Sequence, residues 1–277
     1  MKRRSVSLRN LLTLHLPVFL IVLFAVGPYV WTFISSITPQ KEMDVALRYF
    51  PQKPTTDNYA RLFGNINFGN NVKDSLIVAL GSTFIGLALT LTASYSFSRF
   101  NFRFKKFFLI QFLVINMFPI VLLIIPLFIM MKNLGIMDTH FALMIAYATF
   151  TIPFATWMMT GFFRAIPREL DESAQIDGLG RFGTFVRVII PIALPGVSAT
   201  GIYIFINSWN EFIYASILTS SAVRTIPVSL QNMVGEYQIA WGLLTAGGIV
   251  AAIPILTMFF FIQKTMITGM TAGAVKG

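Results

Sequence analysis

Residues 164–191 read RAIPRELDESAQIDGLGRFGTFVRVIIP, and this stretch decides how the rest of the chain is interpreted. It is the one long polar segment between sequences that otherwise suit lipid. Its first half places Pro167 at a possible first helical turn, acidic side chains in that turn and Gly178 after it, which is typical of a short helix that ends at glycine. Its second half repeats apolar residues at the i, i+3, i+4, i+7 spacing of a helix face, namely Phe182, Phe185, Val186 and Ile189. We therefore predict two short helices that meet at Gly178, and we call residues 164–191 the elbow.

The composition explains why a polar stretch stands out. The chain has 277 residues, of which 56% are hydrophobic and 12% charged, with a mean hydropathy of +0.73. Soluble domains contain about 25% charged residues, so the composition indicates an integral membrane protein. The absence of cysteine excludes disulfides and thiolate chemistry, and two histidines far apart in the sequence, His15 and His140, leave little material for a metal site. We expect this chain itself to bind neither a metal nor a cofactor.

Six apolar runs are long enough to cross a bilayer, which takes about 20 residues. They cover about 11–34, 75–98, 107–131, 141–163, 192–209 and 243–262. The first run continues through Pro28, beyond the roughly 7–15 apolar residues of a cleavable signal peptide, so an uncleaved first span is favoured over that alternative. The predicted fold class is an all-α membrane protein with six transmembrane helices, in which the elbow joins the fourth to the fifth. We divide the chain into 1–70 (N-terminus, first span and outer loop), 71–263 (the core domain with spans two to six) and 264–277 (a tail).

The distribution of lysine and arginine predicts the orientation of these spans. If the N-terminus is cytoplasmic, 14 of the 21 basic residues fall in inside segments and 7 in outside segments. An excess of basic residues on the inside is the usual rule, so both termini and the elbow are predicted to be cytoplasmic, and the loop 35–71 extracytoplasmic. Topology thus accounts for most of the net charge of +10, and a nucleic-acid partner is unnecessary.

Several classes of function are disfavoured by what the spans lack. Apart from His15, no ionisable residue lies well inside any of the six runs, although such residues usually mark proton-driven or ion-coupled carriers. No GxxxxGK[ST] phosphate loop is present, so the chain cannot bind a nucleotide by that route. No Ser-His-Asp or paired-carboxylate arrangement can be assembled within the membrane, which weakens a membrane-enzyme interpretation. If the protein moves a solute uphill, another subunit must supply the energy.

The elbow resembles the pattern E-A-A-x3-G-x9-I-x-L-P of binding-protein-dependent ABC importer permeases. Glu172-Ser173-Ala174 stands at the first triplet, Gly178 at the glycine and Val188-Ile189-Ile190-Pro191 at the end, with every spacing preserved. The three departures, at Ser173, Val188 and Ile190, replace a residue by one that is small or similar in volume. The match also falls at the predicted cytoplasmic position.

The resemblance covers nearly the whole chain and narrows to the carbohydrate branch, in particular the maltose-type second permease subunit. The segments that look like this branch are Pro54-Thr55 with Asn58-Tyr59, and residues 162–169, 209–212 and 269–277. One departure is visible where members often read Asn-Ser-Leu, since this chain has Asp74-Ser75-Leu76.

The resemblance implies a partner set and a mechanism. It implies a second homologous permease subunit, two cytoplasmic ATPase subunits that bind ATP and Mg, and an extracytoplasmic sugar-binding protein, assembled in the cell membrane of a prokaryote. The elbow would dock into a groove on an ATPase and drive alternating access for a sugar or oligosaccharide. Alternatives are a permease for another solute, such as glycerol phosphate or a polyol, and a secondary carrier or channel, which is less favoured. A further alternative for the elbow is an amphipathic membrane-surface helix that contacts no partner.

Two sets of site residues follow. In the coupling set, Glu172 would orient the first helix, Ala174 would allow close approach, Gly178 would make the bend, and Phe182 with Phe185 would anchor the second helix. The full coupling set is Glu172, Ser173, Ala174, Asp177, Gly178, Phe182, Phe185 and Pro191. The substrate-pathway candidates are polar or amphipathic residues in spans or at their outer ends, namely Asn116, Asn207, Trp209, Asn210 and Glu211. For each of these, helix packing is the alternative explanation.

Overall fold

The computed structural model of the chain describes residues 11–45, 49–235 and 238–274. Within these residues the structure is almost entirely helical, and the one pairing of extended backbone is a single bridge between Val234 and Ile239. The all-α prediction is therefore confirmed. Part of the basis for the orientation, Lys2, Arg3, Arg4, Arg9, Arg48 and Lys276, lies outside the described residues.

The helices follow one another along the chain with short connections. The first group is α1 (Leu16–Ser36), α2 (Gln40–Val45), α3 (Asp57–Gly64), α4 (Phe68–Arg99), α5 (Lys105–Met117), α6 (Ile124–Asn133) and α7 (His140–Ala165). The second group is α8 (Glu169–Ile176), α9 (Arg181–Thr184), α10 (Ile190–Ile192), α11 (Leu194–Trp209), α12 (Ile213–Leu218), α13 (Ile226–Gln231) and α14 (Trp241–Ala274). A wide π-helical turn, Phe185–Ile189, joins α9 to α10.

Among the described residues, four helices are long and apolar enough to cross a membrane as single pieces. They are Leu12–Ser36, Phe68–Arg99, His140–Ala165 and Trp241–Gln263. Two further pairs, Lys105–Met117 with Ile120–Asn133 and Arg181–Ile192 with Leu194–Trp209, meet the same test only when each bent pair is taken together. The structure thus contains four to six candidate spans. The predicted third and fifth spans are not straight helices.

The third span breaks where the sequence reads Met117-Phe118-Pro119. Phe118 has an extended backbone with ψ 134°, and the helical segments on either side are bent by 100°. Proline disfavours helical geometry in the residue before it and has no N–H of its own, so Pro119 explains why α5 ends at Met117.

The second bent pair changes direction at the start of the predicted fifth span. Pro191 lies inside the short helix α10, whereas the 82° bend falls at Ala193, just before α11. Pro191 and Pro195 both lack an amide donor, but the amides of Ala193 and Val197 still bond to Ile189 and Ala193 at 2.9 Å. Helical hydrogen bonding therefore persists on both sides of the bend.

The chain divides into two compact units, residues 1–68 with 230–252 and residues 69–229 with 253–277. In the first unit the predicted irregular loop 35–71 contains two short helices, because its prolines lie outside them. Asn58 at the start of α3 is buried and donates from its amide to the carbonyl oxygens of Ser36 and Thr38, at 2.9 Å each. Gly242 allows the last helix to approach Asn58 closely, since a Cβ there would lie 2.6 Å from the Asn58 side chain.

In the second unit α4 and α7 run parallel. Near their N-terminal ends they are joined by His140 and Asp74 (2.8 Å), and in their last turns by Arg99 and the carbonyl oxygen of Phe163 (3.1 Å). The two ends are about 35 Å apart by the rise of a helix. A separate hydrophobic cluster lies toward each end, one around Leu143, Tyr147, Tyr214 and Leu218, the other around Met159, Phe163, Phe185 and Ile189.

Candidate functional site

The elbow consists of α8, a tight turn at Gly178 and the helical segment from Arg181 to Ile192. Gly178 has φ +89°, the left-handed region predicted for it, and its amide donates to the carbonyl oxygen of Gln175 at 3.1 Å. The next amide, of Leu179, donates to Ala174 at 3.0 Å, so the last carbonyl groups of α8 are satisfied. A residue with a Cβ is strained in this conformation, which is why the sequence has glycine here.

A buried ion pair fixes the elbow to the end of α4. The carboxylate of Asp171, on α8, lies 2.9 Å from the guanidinium of Arg99, the last residue of α4, and both side chains are less than 10% exposed. The hydroxyl of Tyr95 donates to the same carboxylate at 2.7 Å. Arg99 also donates to the Phe163 carbonyl oxygen, so one arginine joins the elbow to the ends of two spans. A buried charge needs such partners because desolvation is costly.

An aromatic cluster supports the inner side of the elbow. The ring of Phe185 lies 4.7 Å from that of Tyr95 and 6.2 Å from that of Phe163, while Ala174 and Ile189 are buried. Ala174 and Phe185 are therefore packed within the chain, whereas the Phe182 side chain is 76% exposed. Among the described residues Phe185 thus holds the second helix of the elbow to the spans, and an anchoring role for Phe182 stays a prediction.

The opposite side of the elbow is solvent-accessible and carries most of the remaining coupling candidates. We define its outer face as Glu172, Ser173, Ile176, Asp177 and Phe182, all of which are exposed. Ile176 is 86% exposed and Phe182 76%, which is unusual for large apolar side chains on short polar helices. Gly178 lies in the turn between them, and Pro191 is exposed on α10.

Two residues of this site were missed in the sequence. Asp171 was noted only as one of three acids in a first turn, although it lies three residues before Ala174 and therefore on the same helix face. Ile176 was not singled out, although it is an apolar side chain beside Asp177-Gly178 in an otherwise polar segment. Helical spacing could have indicated both, whereas the partner Arg99 is 72 positions away and carries no local signal.

The substrate-pathway candidates have different surroundings. Asn116 lies one residue before the end of α5 and is exposed, and its amide donates to the carbonyl oxygen of Phe112 at 2.8 Å. Asn207 on α11 donates to the carbonyl oxygen of Tyr203 at 2.7 Å, and Asn210 follows that helix and is exposed. In Asn116, Asn207 and Asn210, the oxygen of the side-chain amide takes no part in these hydrogen bonds.

Trp209 and Glu211 serve the packing of this chain. Trp209 is only 3% exposed and stacks on Phe205 at 5.6 Å. The carboxylate of Glu211 accepts hydrogen bonds from the amides of Tyr214 and Ala215, at 2.9 and 3.1 Å, and so caps the first turn of α12. Burial raises the pKa of Glu211 above its usual range, against the effect of these amides, which lower it.

The other end of the second unit is closed by two carboxylates. Asp138, with φ +59°, accepts hydrogen bonds from the hydroxyl and amide of Ser220 and from the amides of Ser221, Ala222 and Val223, at 2.7 to 3.2 Å. Burial would raise the pKa of Asp138, but these hydrogen bonds, led by that of the Ser220 hydroxyl, outweigh burial and hold the pKa well below its usual range. Asp74 contacts His140 and accepts from the amide of Arg224 at 3.1 Å. Among the described residues, no three acidic or histidine side chains are grouped so that they could hold a metal ion.

Comparison with known sequences gives a consistent assignment. Residues 82–271 match the family described as "Binding-protein-dependent transport system inner membrane component". The chain is 33% identical to the sulfoquinovosyl glycerol transport system permease protein of Agrobacterium fabrum, over 90% of this chain and 88% of that protein. It is 34% identical to the trehalose transport system permease protein of Mycobacterium tuberculosis, over 93% of this chain and 95% of that protein.

Comparison with solved structures supports the fold. A chain from a bacterial ABC transporter involved in the import of the acidic polysaccharide alginate superposes with a TM-score of 0.77 at 20% identity, covering 95% of this chain and 98% of that one. A second structure, of a bacterial alginate ABC transporter in complex with an alginate pentasaccharide-bound periplasmic protein, gives a TM-score of 0.66 at 17% identity, covering 92% and 93% of the two chains.

Proposed function

The chain belongs to the family of binding-protein-dependent transport system inner membrane components, and on that premise we propose that it is one of two permease subunits of an ATP-driven sugar or oligosaccharide importer. It is a transport subunit and not an enzyme, because ATP is hydrolysed by other subunits of such systems. Its proposed partners are a second homologous permease, two cytoplasmic ATPases and an extracytoplasmic sugar-binding protein. We place it in the cell membrane of a prokaryote as a multi-pass protein with both termini and the elbow cytoplasmic.

The sugar assignment is supported by the relatives and by the sequence of the spans. The permeases that this chain resembles are described as transporting trehalose or sulfoquinovosyl glycerol, among other sugars. Asn116, Asn207 and Asn210 supply neutral hydrogen-bonding groups, which suit hydroxyl-rich solutes. Trp209 and Glu211 are a less suitable part of such a pathway, because their side chains are used in packing and capping.

The coupling proposal rests on an elbow whose inner side is fixed to the spans and whose outer face exposes two large apolar side chains among polar ones. Its inner side is fixed by the Arg99–Asp171 pair and by Phe185, whereas its outer face exposes Ile176 and Phe182. Burying two such side chains against a partner is favourable by about 1.5–3 kcal/mol each. The outer face is therefore the proposed docking surface for an ATPase, with Glu172 and Asp177 available to pair with basic groups at its rim.

Movement of a docked ATPase would reach the membrane through the same contacts. Asp171 is joined to the last turn of α4 by Arg99, and Arg99 is joined to α7. An elbow fixed in this way moves together with the ends of two spans. Closure of the ATPases would then shift the population between inward-open and outward-open permease, because ATP binds one state more tightly.

The first test compares Phe182→Ala with Phe24→Ala in the complex assembled with its partner permease, ATPase and binding protein. Phe24 is 86% exposed on α1, so the two changes remove similar exposed rings from different surfaces. We expect Phe182→Ala to lower ATPase retention and sugar-stimulated ATP hydrolysis at least fivefold, and Phe24→Ala to leave both unchanged. Equal retention in the two variants would refute docking through the outer face.

The same preparation separates the alternatives. A secondary carrier or channel would transport without the ATPase, so transport that persists after the ATPase is removed would exclude the importer mechanism. A permease for glycerol phosphate or a polyol would depend on the ATPase but would not respond to sugars. Stimulation of ATP hydrolysis by sugar-loaded binding protein, measured against these solutes, decides between them.

A further inference from the structure

A strongly basic cavity lies at the start of the elbow, where helices of three candidate spans begin or end. It has a volume of about 690 Å3 and lies between the end of α4, the start of α5 and the segment that joins α7 to α8. The charged side chains that line it are Arg99, Lys105, Lys106, Arg164, Arg168 and Glu169. We call it the basic pocket. Of these side chains, only Arg99 is used in the coupling proposal.

The charge of the basic pocket is poorly compensated within the chain. Arg99 is neutralised by Asp171, but among the described residues Lys105, Lys106, Arg164 and Arg168 form no salt bridge. The two hydrogen bonds that these cations make go to uncharged acceptors, from Lys105 to the carbonyl oxygen of Phe100 at 3.0 Å and from Arg168 to that of Ser98 at 3.3 Å. Four positive charges therefore face one carboxylate, that of Glu169.

These positive charges also act on one another. Lys105 experiences the charges of both Arg164 and Arg168, which come from the other wall of the basic pocket. Like charges at close range repel, most strongly where the surroundings are partly desolvated. An anion in the pocket would attract each of the lining cations and so offset their mutual repulsion.

The apolar surroundings of the basic pocket indicate which anion. The connection from α4 to α5 and the first turn of α5 expose five phenylalanines, Phe100, Phe102, Phe104, Phe107 and Phe108. Phe104 and Phe107 adjoin Lys105 and Lys106 directly in the sequence, and the other three lie within five residues of Lys105, at the ends of helices that belong to candidate spans. A soluble anion gains nothing from such a border, whereas a lipid can place its phosphate among the cations and its acyl chains along the phenylalanines.

We propose that the basic pocket binds the headgroup of an anionic phospholipid, with the phosphate held by Lys105, Lys106 and Arg164. An acidic surface of the ATPase is the competing occupant. The lipid is favoured because the exposed phenylalanines beside the pocket suit acyl chains and not an acidic, hydrated protein surface. This inference goes beyond the importer proposal and does not depend on which solute is carried.

Native mass spectrometry of the whole complex in detergent tests the proposal, with dioleoyl phosphatidylglycerol, dioleoyl phosphatidylcholine and inorganic phosphate as probes. The test variant is K105Q/R164Q. The control is K73Q/K132Q, which also removes two cations, both exposed, from other parts of the second unit. We expect phosphatidylglycerol to be retained by wild type and control, and its retention to fall about tenfold or more in the test variant.

Three outcomes would overturn the proposal. The first is equal retention of phosphatidylglycerol in test variant and control. The second is displacement of the lipid by millimolar phosphate with no difference between phosphatidylglycerol and phosphatidylcholine, which would indicate a site for a free anion. The third is loss of the ATPase from the test variant while lipid retention is unchanged, which would assign the pocket to a protein contact.

The single variant Lys106→Gln guards against misfolding of the double variant, because the Lys106 side chain is exposed and makes no hydrogen bond to the backbone among the described residues. We expect it to keep the unfolding temperature of wild type and to lower phosphatidylglycerol retention severalfold. Retention at the wild-type level would count against the proposal.

Discussion

The two ends of the second unit are each closed by a buried or half-buried carboxylate, yet they differ in what they leave exposed. At the elbow, Asp171 is neutralised by Arg99, and the outer face exposes Ile176 and Phe182. At the other end, Asp138 is satisfied by backbone amides, and the neighbouring apolar side chains Leu218, Val223 and Ile226 are all less than 4% exposed. Comparable carboxylate anchors thus support two kinds of surface. The apolar side chains of the segment that Asp138 binds are buried within the chain, whereas two of those on the outer face of the elbow are exposed.

The largest effect is expected where the anchor of the elbow is removed. Asp171→Ala leaves the Arg99 guanidinium buried without a counter-charge, so we expect a loss of about 3–5 kcal/mol of stability, seen as a lower unfolding temperature of the purified complex. Sugar-stimulated ATP hydrolysis should be lost with it.

The double variant Asp171→Ala/Arg99→Met separates stability from coupling. It removes both charges, so most of the lost stability should return, but the link between elbow and spans stays broken and coupling should remain low. If the double variant recovers full sugar-stimulated hydrolysis, the ion pair is only a packing contact and the contrast between the two ends fails.

An intermediate effect is expected at the other end. Asp138→Ala leaves several amides of the segment 220–223 without their acceptor, which should cost about 2 kcal/mol of stability. Because this end is internally closed, the ATPase should still copurify at the wild-type level. The measurement is thermal unfolding together with ATPase retention, and a loss of the ATPase comparable to that in the elbow variants would break the comparison.

The smallest effect is expected in the turn of the elbow. Gly178→Ala and Gly180→Ala both place a methyl group in open space, but only Gly178 has a positive φ, +89° against −69° for Gly180. Gly178→Ala should therefore cost about 1–2 kcal/mol and lower coupling about two- to fivefold, while Gly180→Ala should match wild type. The measurement is sugar-stimulated ATP hydrolysis of the two variants and wild type under the same conditions. Equal rates for Gly178→Ala and Gly180→Ala would show that the turn tolerates distortion. Gly178→Pro, whose ring cannot adopt a positive φ, should have a larger effect in the same assay.

The sequence was sufficient for features that depend on composition and local spacing. Long apolar runs predicted helical spans, and Gly178 after an acidic helical segment predicted a left-handed turn. The sequence was insufficient where distant residues decide the outcome. Helical periodicity placed Phe182 and Phe185 on one apolar face, but contact with Tyr95 and Phe163 buries only Phe185.

The straightness of a span was a second failure, with a different cause. Hydropathy measures whether a segment suits lipid and not whether it is continuous, so 107–131 was predicted as one span although Pro119 divides it. A closer reading of the residue before proline could have predicted that break. The same rule applied to Pro191 would have predicted that a helix ends at Ile190, whereas the bend lies at Ala193.

The break at Phe118 affects how stable the subunit is before it assembles with the second permease. A helix leaves its last four carbonyl groups without intrahelical partners; in α5 that of Ile115 accepts from the amide of Phe118 at 3.2 Å, and the side chains around this end, Met117 at 82% exposure among them, are uncovered in this chain. Hydrocarbon cannot hydrogen-bond such groups, so irregular backbone at membrane depth persists only when protein or water surrounds it. We therefore expect this subunit to be short-lived when synthesised without its companion permease. The amount of importer in the membrane would then depend on the synthesis of both permease chains together and in equal numbers.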